Sequence, residues 1–550
     1  MATHEVTNQA PARVDLDEFA ANTALFEGVA RFEAAWAAPA LREVGRHVGS
    51  AAFQRDAELA NTRTPELRRF DRWGREIDEV VYDDSYHRVI AADLAAGGHT
   101  AAATDARPGA NVARAATFML FAQIEPGHSC PVSMTHAVVP VLGQHADVAG
   151  EWLPRVLSRD YDPELRAGKS SALFGMAMTE KQGGSDVRAN TTRAMRSADG
   201  SYRLTGHKWF CSAPMSDAFL VLAQAEASSG GSGSTAGGLS CFLVARILPD
   251  GTRNPFRVVR LKDKLGNRAN ASSEVEFEGT HGILLGEEGR GVATIIDMVH
   301  RTRLDSMYGS VAGMRQATAE AAWHARHRAA FGALLVDQPA MTAVLADLQL
   351  ETEAATVLAL RLARAHDADA PSSDAALRRL AVPVAKYWVT KRGPGHAYEA
   401  MECLGGNGYT EAWPLARRYR EQPVMAIWEG SGNVLALDVL RALGRDPECL
   451  AAFEAEVALA RGAHPALDAH LGRTLARAGA VAGQDPAEAA AEARGLVGDL
   501  ALALEASLLV RHAPDAVAEL FVASRLGENA RGHLYGELPR GDHAAVVARA

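Results

Sequence analysis

Five short segments of the chain combine glycines, hydroxyls, aromatic rings and a carboxylate in patterns that could bind a cofactor and do acid–base chemistry. The first is residues 178–187, in which Met178 and Thr179 precede Gly184 and Ser185. Adjacent glycines let the backbone approach a ligand closely, and the N–H groups around them can face an anion. The same pattern also occurs in simple turns, so an anion-binding loop and an ordinary turn are both open.

The second segment, residues 206–213, places Trp209 and Phe210 beside Ser212 on a predicted strand. Aromatic rings with a neighbouring hydroxyl can form the wall of a pocket for a planar ring system. The alternative is that both rings are ordinary core residues.

Two further segments could hold a phosphate group. Arg328 stands at the predicted end of a helix, followed by Gln338, and a guanidinium can bind a pyrophosphate in a forked geometry that lysine cannot reproduce. The alternative is a solvated arginine. Residues 404–409 contain Gly405 and Gly406, which again allow a close approach of the backbone.

The fifth segment, residues 427–433, carries the carboxylate. Glu429 follows Trp428 and precedes a predicted helix that Ser431 or Asn433 could cap. The free N–H groups of a helix start also suit a phosphate or the edge of a flavin. Glu429 is therefore either an acid–base group or an ordinary loop carboxylate.

The elements that must position these groups are of two kinds. Residues 1–175 are Ala-rich with apolar side chains at three- and four-residue spacing, which predicts helices, with a hairpin interrupting them at residues 69–82. Residues 176–288 shift towards a period of two, which predicts a β-domain. Residues 289–445 are predicted to be a helical bundle, and residues 446–550 a separate helical extension. The predicted fold class is α+β, with four domains at these boundaries.

Two local features add detail to this prediction. Residues 228–238 are a Gly- and Ser-rich stretch with little to pack, which predicts a mobile loop. Pro383 is predicted to interrupt the helix that leads to Gly405, because proline removes a backbone donor.

The composition narrows the class of protein. A net charge of −10 over 550 residues does not indicate a nucleic-acid binder, since such proteins usually carry a basic excess. The five cysteines are scattered without a CxxC pair, which argues against a disulfide framework and against a zinc site, so no metal is expected. No stretch has the apolar length of a membrane span, and the first residues lack the pattern of a signal peptide. A cytoplasmic protein is expected.

Taken in this order and at this spacing, the five segments resemble the signature motifs of the acyl-CoA dehydrogenase superfamily. The resemblance is closest to its AidB-like, alkylation-response branch, through Lys181-Gln182, residues 260–268, residues 428–433 and the early hairpin around residues 74–80. It covers essentially the whole chain and is weakest after Arg445. The helical, β and helical order of the segments is also that of this superfamily.

The resemblance implies a bound FAD. The positions that line the flavin and its pyrophosphate correspond here to Met178, Thr179, Gly184, Ser185, Phe210 and Ser212. The positions that hold the ADP part, contributed by a neighbouring subunit, correspond to Arg328, Gln338, Gly405 and Gly406. Further cofactor contacts correspond to Trp428, Ser431 and Asn433. A cofactor that bridges chains implies a homotetramer or a homodimer.

The reaction implied by the resemblance is α,β-dehydrogenation of an acyl-CoA thioester of the isovaleryl type, with an electron-transfer flavoprotein as acceptor. Glu429 matches the position of the base that removes the α-proton. Asp305 is the alternative, because isovaleryl-type relatives carry the base on an earlier helix, here residues 300–313. The AidB-like branch tends to have an altered CoA entrance, which implies weak turnover.

The same branch is associated with binding double-stranded DNA through its C-terminal domain and with protection from alkylation damage. Here residues 446–550 contain nine arginines, no lysine and fifteen carboxylates, a net charge of −6. Affinity for phosphates depends on cation density, so this composition is a poor match for DNA. The arginines at 417, 418, 420, 441 and 445 could still form a local basic patch, or they could form ion pairs on helix surfaces.

Overall fold

The computed structural model describes residues 3–227, 237–527, 530 and 534–550. The predicted Gly/Ser loop at residues 228–238 lies outside the described residues, apart from its last two positions. The chain divides into two compact units. The β unit comprises Ala52–Asp105 and Glu125–Thr302, and the helical unit comprises Met1–Ala51, Ala106–Ile124 and Arg303–Ala550.

The described residues contain both helices and strands. The helices are α1 (Thr23–Arg31), α2 (Ala38–Gly49), α3 (Ala51–Thr62), α4 (Asp84–Ala96), α5 (Ala101–Thr104), α6 (Ala110–Ala122), α7 (Ser129–Gly143), α8 (Ala146–Val156), α9 (Gly291–His327), α10 (Pro339–Arg364), α11 (Ser373–Glu402), α12 (Pro414–Met425), α13 (Gly432–Arg445), α14 (Pro447–Ala458), α15 (Pro465–Ala480), α16 (Pro486–His512), α17 (Asp515–Arg525) and α18 (His543–Val547). The strands are β1 (Glu66–Phe70), β2 (Glu76–Val81), β3 (Phe174–Ala177), β4 (Arg193–Arg196), β5 (Tyr202–Ser212), β6 (Ala218–Ala225), β7 (Gly238–Ala245), β8 (Phe256–Leu261), β9 (Ser272–Leu285), β10 (Ala329–Ala330) and β11 (Ala333–Leu334).

The β unit is built on one sheet with the strand order β3-β6-β4-β5-β9-β7, and β8 pairs with β9. Because β6 also pairs with β7, five of these strands form a ring. The inside is filled by aromatic side chains, with Phe219 stacked on Phe256 at 5.0 Å between ring centroids and Phe256 edge-on to Phe277. Aromatic pairs of this kind stabilise a core beyond the area that they bury.

The hairpin β1–β2 packs against strand β8. Its turn is at Asp71 and Gly74, as the sequence predicts, and the strands begin earlier than predicted, at Glu66. Asp78 attaches the hairpin to the sheet, because its carboxylate accepts from the Val258 N–H at 3.2 Å. A two-stranded hairpin is marginal by itself, so this contact matters for its stability.

The helical unit is organised around α11, which contacts α10, α12, α13, α14 and α16. The prediction that Pro383 interrupts this helix is wrong, since α11 runs continuously through both Pro383 and Pro394. Packing on several sides holds the helix where local propensity would end it. The helices predicted on either side of the β-domain, and hence the α+β fold class, are confirmed. The four domain boundaries stay a prediction.

Buried ion pairs join α17 to α10 and α11 within the helical unit. Arg525 pairs with Asp347 and with Glu351, to which its Nη2 donates at 2.8 Å. Arg392 on α11 donates to the same Glu351 carboxylate at 3.0 Å. No helix in the described part of the chain combines the length and hydropathy of a membrane span.

Candidate active site

Residues 178–187 form a tight loop after β3 in the β unit. Glu180 and Gly183 bridge each other through their backbones, and Gly183 has a φ of 154°. A side chain at Gly184 would place its Cβ 2.6 Å from Thr179 Oγ1, so glycine is required for this packing. The loop is thus closed and compact around Thr179.

A buried ion pair holds this loop onto the sheet. Lys208 Nζ on β5 donates to Glu180 Oε1 at 2.8 Å and to the Leu222 carbonyl at 2.7 Å, and neither charged side chain is exposed. Glu180 also accepts from the N–H groups of Thr191 and Thr192. Burial lowers the pKa of Lys208 to about 8, against the opposing effect of Glu180. Burial by itself would raise the pKa of Glu180. The positive charge of Lys208 and the hydrogen bonds from Thr191 and Thr192 outweigh burial, so the pKa of Glu180 lies well below its ordinary value.

In the aromatic pair on β5, Phe210 is exposed and Trp209 is half-buried, so the pair is not an ordinary part of the core. Phe210 is 51% exposed, so it is not a core residue. Lys262 Nζ lies 3.1 Å from the centroid of the Trp209 ring and 4.8 Å from that of Phe210. Ser212 Oγ lies 3.4 Å from Ser272 Oγ on the neighbouring strand β9. The strand therefore presents an aromatic surface with a hydroxyl beside it.

In the helical unit, Glu429 lies in the turn between α12 and α13. Its φ is 57°, a left-handed conformation that is unfavourable for a residue with a side chain, and Gly430 follows with a φ of 106°. Lys386 Nζ donates to the carbonyls of Trp428 at 2.7 Å and Gly430 at 2.9 Å. Arg303 Nε donates to the Glu429 carbonyl at 3.0 Å. Three consecutive carbonyls thus face two cations.

These two cations have different environments. Arg303 pairs with Asp438 at 2.8 Å, so its guanidinium is fixed from the opposite side. Burial lowers the pKa of Lys386 to about 7, the Glu429 carboxylate opposes that shift, and Arg303 and Lys391 add to it.

Asp305, the alternative base, is held in a structural contact. Its carboxylate accepts two hydrogen bonds from the Arg114 guanidinium, the longer at 2.9 Å, and both side chains are buried. A bidentate pair of this kind engages both oxygens of the carboxylate. The geometry therefore favours Glu429 over Asp305 as an acid–base group.

Residues that the sequence assigned to the ADP part of a cofactor lie on exposed turns of the helical unit. The hairpin β10–β11 follows Arg328, which donates to the Asn8 carbonyl, and Gln338 Nε2 donates to the Ala330 carbonyl at 2.8 Å. Phe331 at the tip is fully exposed. Gly405 and Gly406, at the start of a short 3₁₀ turn, are exposed as well.

The start of α13 has the features of a ligand site. Ser431, one of the two residues predicted as a possible cap, occupies the N-cap position, but its side chain accepts no capping hydrogen bond among the described residues. The Nε1 donor of Trp428 is buried and has no acceptor in the part of the chain that the structure describes. Uncapped N–H groups and an unused donor fit an incoming anionic or heteroatom-rich ligand. In the β unit, the aromatic surface of β5 is of the kind on which a planar flavin ring stacks, so each unit by itself carries residues suited to part of a flavin nucleotide.

The arginines proposed as a basic patch are largely engaged. Arg418 is buried and donates to the Ile124 carbonyl at 2.7 Å. Arg420 pairs with Glu411, and Arg441 pairs with Asp438 at 3.0 Å. The contacts of Arg420 and Arg441 match the ion-pair interpretation, whereas Arg418 bonds to a backbone carbonyl.

The fold and these motifs are those of the acyl-CoA dehydrogenase family, and comparison with known families agrees. Residues 175–280 match the acyl-CoA dehydrogenase middle domain, and residues 289–444 match the acyl-CoA dehydrogenase C-terminal domain. The chain belongs to the acyl-CoA dehydrogenase family. Its residues 8–163 match the N-terminal domain of the adaptive response protein AidB, which confirms the predicted AidB-like branch. Family membership supports the FAD cofactor that the motifs predict.

Individual relatives extend this result. AidB of Escherichia coli (strain K12) is 49% identical over 447 residues, which is 80% of this chain and 81% of that protein. Acyl-CoA dehydrogenase family member 11 of Caenorhabditis elegans is 33% identical over 72% of this chain and 65% of its own length. The crystal structure of C. elegans ACDH-11 with C11-CoA has a TM-score of 0.85 at 28% identity, covering 96% of this chain and 93% of that one.

Sequence motifs identified the Glu429 turn but missed its main anchor. Lys386 is a fully buried lysine that directly follows the apolar run 380–385 of α11, and a lysine in such surroundings requires a partner. That signal pointed to a functional or structural role without indicating the partner.

Proposed function

We propose that this protein is an FAD-containing dehydrogenase that oxidises the CH–CH group of an acyl-CoA thioester, with Glu429 as the base. The observation that carries the proposal is the Glu429 turn, in which two cations hold a carboxylate-bearing residue in a left-handed conformation just before an uncapped helix start. A carboxylate fixed in this way can take a proton from carbon at a defined position.

Several residues have proposed roles toward the cofactor. Those toward the flavin and pyrophosphate are Met178, Thr179, Gly184, Ser185, Phe210, Ser212 and Trp428. Those toward the ADP part and its surroundings are Arg328, Gln338, Gly405, Gly406, Ser431 and Asn433. When bound, FAD supplies a two-electron acceptor for the hydride that leaves the β-carbon.

Side chains of this protein carry out the proton abstraction and position the base. Glu429 removes the α-proton, while donors near the thioester oxygen must stabilise the charge that develops there. Arg303 and Lys386 keep the Glu429 backbone in place during this transfer. Asp305 does not take part, because Arg114 already engages both of its oxygens.

The finer parts of the proposal rest on relatives. ACDH-11 was crystallised with C11-CoA, which supports an acyl-CoA as the substrate class here. Within that class we propose a short branched, isovaleryl-type thioester with weak turnover, and an electron-transfer flavoprotein as acceptor. A cytoplasmic homotetramer or homodimer, in which FAD bridges chains, completes the proposal.

The test is the variant Glu429→Gln in the FAD-loaded protein. Under anaerobic conditions isovaleryl-CoA should bleach the wild-type flavin, and the variant should keep its flavin but bleach at least ~100-fold more slowly, the lower range for loss of a general base. Glu402→Gln, an exposed carboxylate at the end of α11, is the control and should bleach at the wild-type rate. Equal rates for Glu429→Gln and wild type would show that another group is the base.

Binding of double-stranded DNA stays a prediction. The ion pairs of Arg420 and Arg441 and the burial of Arg418 leave fewer cations for phosphates than the sequence suggested. Salt-dependent retention of duplex fragments would support DNA binding, since each phosphate contact adds to the salt slope.

A further inference from the structure

Lys386 is the least expected charged residue of the helical unit. It stands in the middle of α11 with no exposed surface, and its ammonium reaches the carbonyls on either side of Glu429. A lysine buried in this way costs free energy unless its donors are used. Here two of its three donors meet backbone carbonyls at 2.7 and 2.9 Å.

The turn needs such donors because of its conformation. A left-handed conformation is unfavourable for a residue other than glycine, so Glu429 adopts a φ of 57° only where its surroundings impose it. The carbonyls of Trp428 and Gly430 accept from Lys386, and that of Glu429 accepts from Arg303. Lys386 therefore holds the residue before and the residue after the carboxylate.

We propose that Lys386 is a positioning residue for Glu429: by bonding the two flanking carbonyls it fixes the left-handed backbone from which the Glu429 carboxylate is aimed. This inference deepens the proposed function and rests on Glu429 being the base. It predicts that Lys386 affects the rate of proton abstraction and leaves the affinity for the acyl-CoA and the FAD content unchanged.

The charges around Lys386 support a role at this turn. The Glu429 carboxylate faces it as an opposite charge, whereas Arg303 and Lys391 face it as like charges. Asp438 compensates Arg303 at 2.8 Å, which leaves Glu429 as the carboxylate that offsets Lys386. The lysine thus bonds to the backbone of the turn and interacts electrostatically with its side chain.

The experiment compares wild type with Lys386→Met, which keeps a side chain of similar length and removes all donors. With FAD bound, the limiting rate of flavin bleaching by isovaleryl-CoA should fall about tenfold to a hundredfold, as for a misplaced catalytic group. The concentration of isovaleryl-CoA that gives half of that rate should not change. Glu402→Gln, an exposed carboxylate at the end of the same helix α11, is the control and should behave as wild type.

Hydrogen exchange gives a readout that does not depend on turnover. Amides of residues 427–431 should exchange at least about tenfold faster in Lys386→Met, while those of α10 and α16 keep the wild-type rate. Unchanged exchange at residues 427–431 overturns the inference, and so does faster exchange spread over the whole helical unit. If isovaleryl-CoA does not bleach the wild type, the proposed function fails, and the exchange result alone decides the role of Lys386. Lys386→Gln, which retains a shorter donor, should show an intermediate increase and serves if the Met variant does not fold.

Discussion

Replacing Glu180 with glutamine should destabilise the β unit strongly at mildly acidic pH and much less at alkaline pH. Lys208 donates to Glu180 at 2.8 Å and to the Leu222 carbonyl at 2.7 Å, with both charged side chains buried. In Glu180→Gln the ammonium keeps its carbonyl and loses its counter-ion. Removing one partner of a buried ion pair typically costs ~3–5 kcal/mol.

The loss of stability in Glu180→Gln depends on pH because Lys208 can lose its proton. Its pKa is about 8 in the wild type, where burial lowers it and Glu180 opposes the shift, so the pKa falls further in the variant. Between this lowered pKa and pH 8, the folded variant carries a neutral lysine while its unfolded chain is still protonated. The variant alone therefore gains ~1.4 kcal/mol of stability per pH unit, because its unfolded state binds more protons.

Above pH 8 the lysine is neutral in both folded proteins, and the difference between them stays constant. We expect the variant to be about 4 kcal/mol less stable at pH 6 and about 1 kcal/mol less stable above pH 8.

Native-state hydrogen exchange of amides in β5 and β9 measures this difference, since it reports the opening of the sheet without requiring two-state unfolding of the whole chain. Glu278→Gln, an exposed carboxylate on β9, is the control and should stay within ~0.5 kcal/mol of wild type at every pH. A difference below ~1 kcal/mol at pH 6, or one that grows as the pH rises, would refute the electrostatic account of this pair.

Two other substitutions test the site. In Gly184→Ala the added Cβ would lie 2.6 Å from Thr179 Oγ1, so the loop must shift. We expect the affinity for FAD, measured by fluorescence titration, to fall about tenfold. The control is Gly150→Ala, where an added Cβ has no atom within 4 Å and FAD should bind as in wild type. Asp305→Asn leaves Arg114 buried without its counter-ion and should lower the free energy of unfolding by ~3–5 kcal/mol in urea, with bleaching per folded protein retained; loss of bleaching at unchanged stability would make Asp305 the base instead.

The order of secondary structure could be predicted because its signals are local. The turn of the early hairpin follows from Asp71 and Gly74, whose side chain and positive φ suit a tight reversal. The continuity of α11 through Pro383 could not be predicted, because it depends on packing against helices distant in sequence. Local helix propensity predicts the wrong structure wherever tertiary packing outweighs it.

In the candidate site, too, features set by adjacent residues could be predicted, and features set by residues distant in sequence could not. The glycines and the carboxylate of the Glu429 turn form a motif of adjacent residues, which a sequence displays directly. The partners Lys386 and Arg303 lie on two other helices, and hydrogen bonds to backbone carbonyls leave no pattern in side-chain types. The outward direction of Phe210 was also hidden, because it lies where the register between β5 and β9 shifts, and the regular alternation of faces is interrupted there.

The ion pairs of Arg525 have a consequence for dissecting the protein. A chain cut after α13 would lose α16, which covers α10, α11 and α13. It would also remove Arg525, which pairs with Asp347 and is one of the two arginines that pair with Glu351. If a property disappears on such truncation, the loss has two equally good explanations. Either the helical unit has unfolded, or a binding surface has been removed. Point substitutions of exposed side chains on α14 to α18 are therefore the informative way to assign a role to this end of the chain.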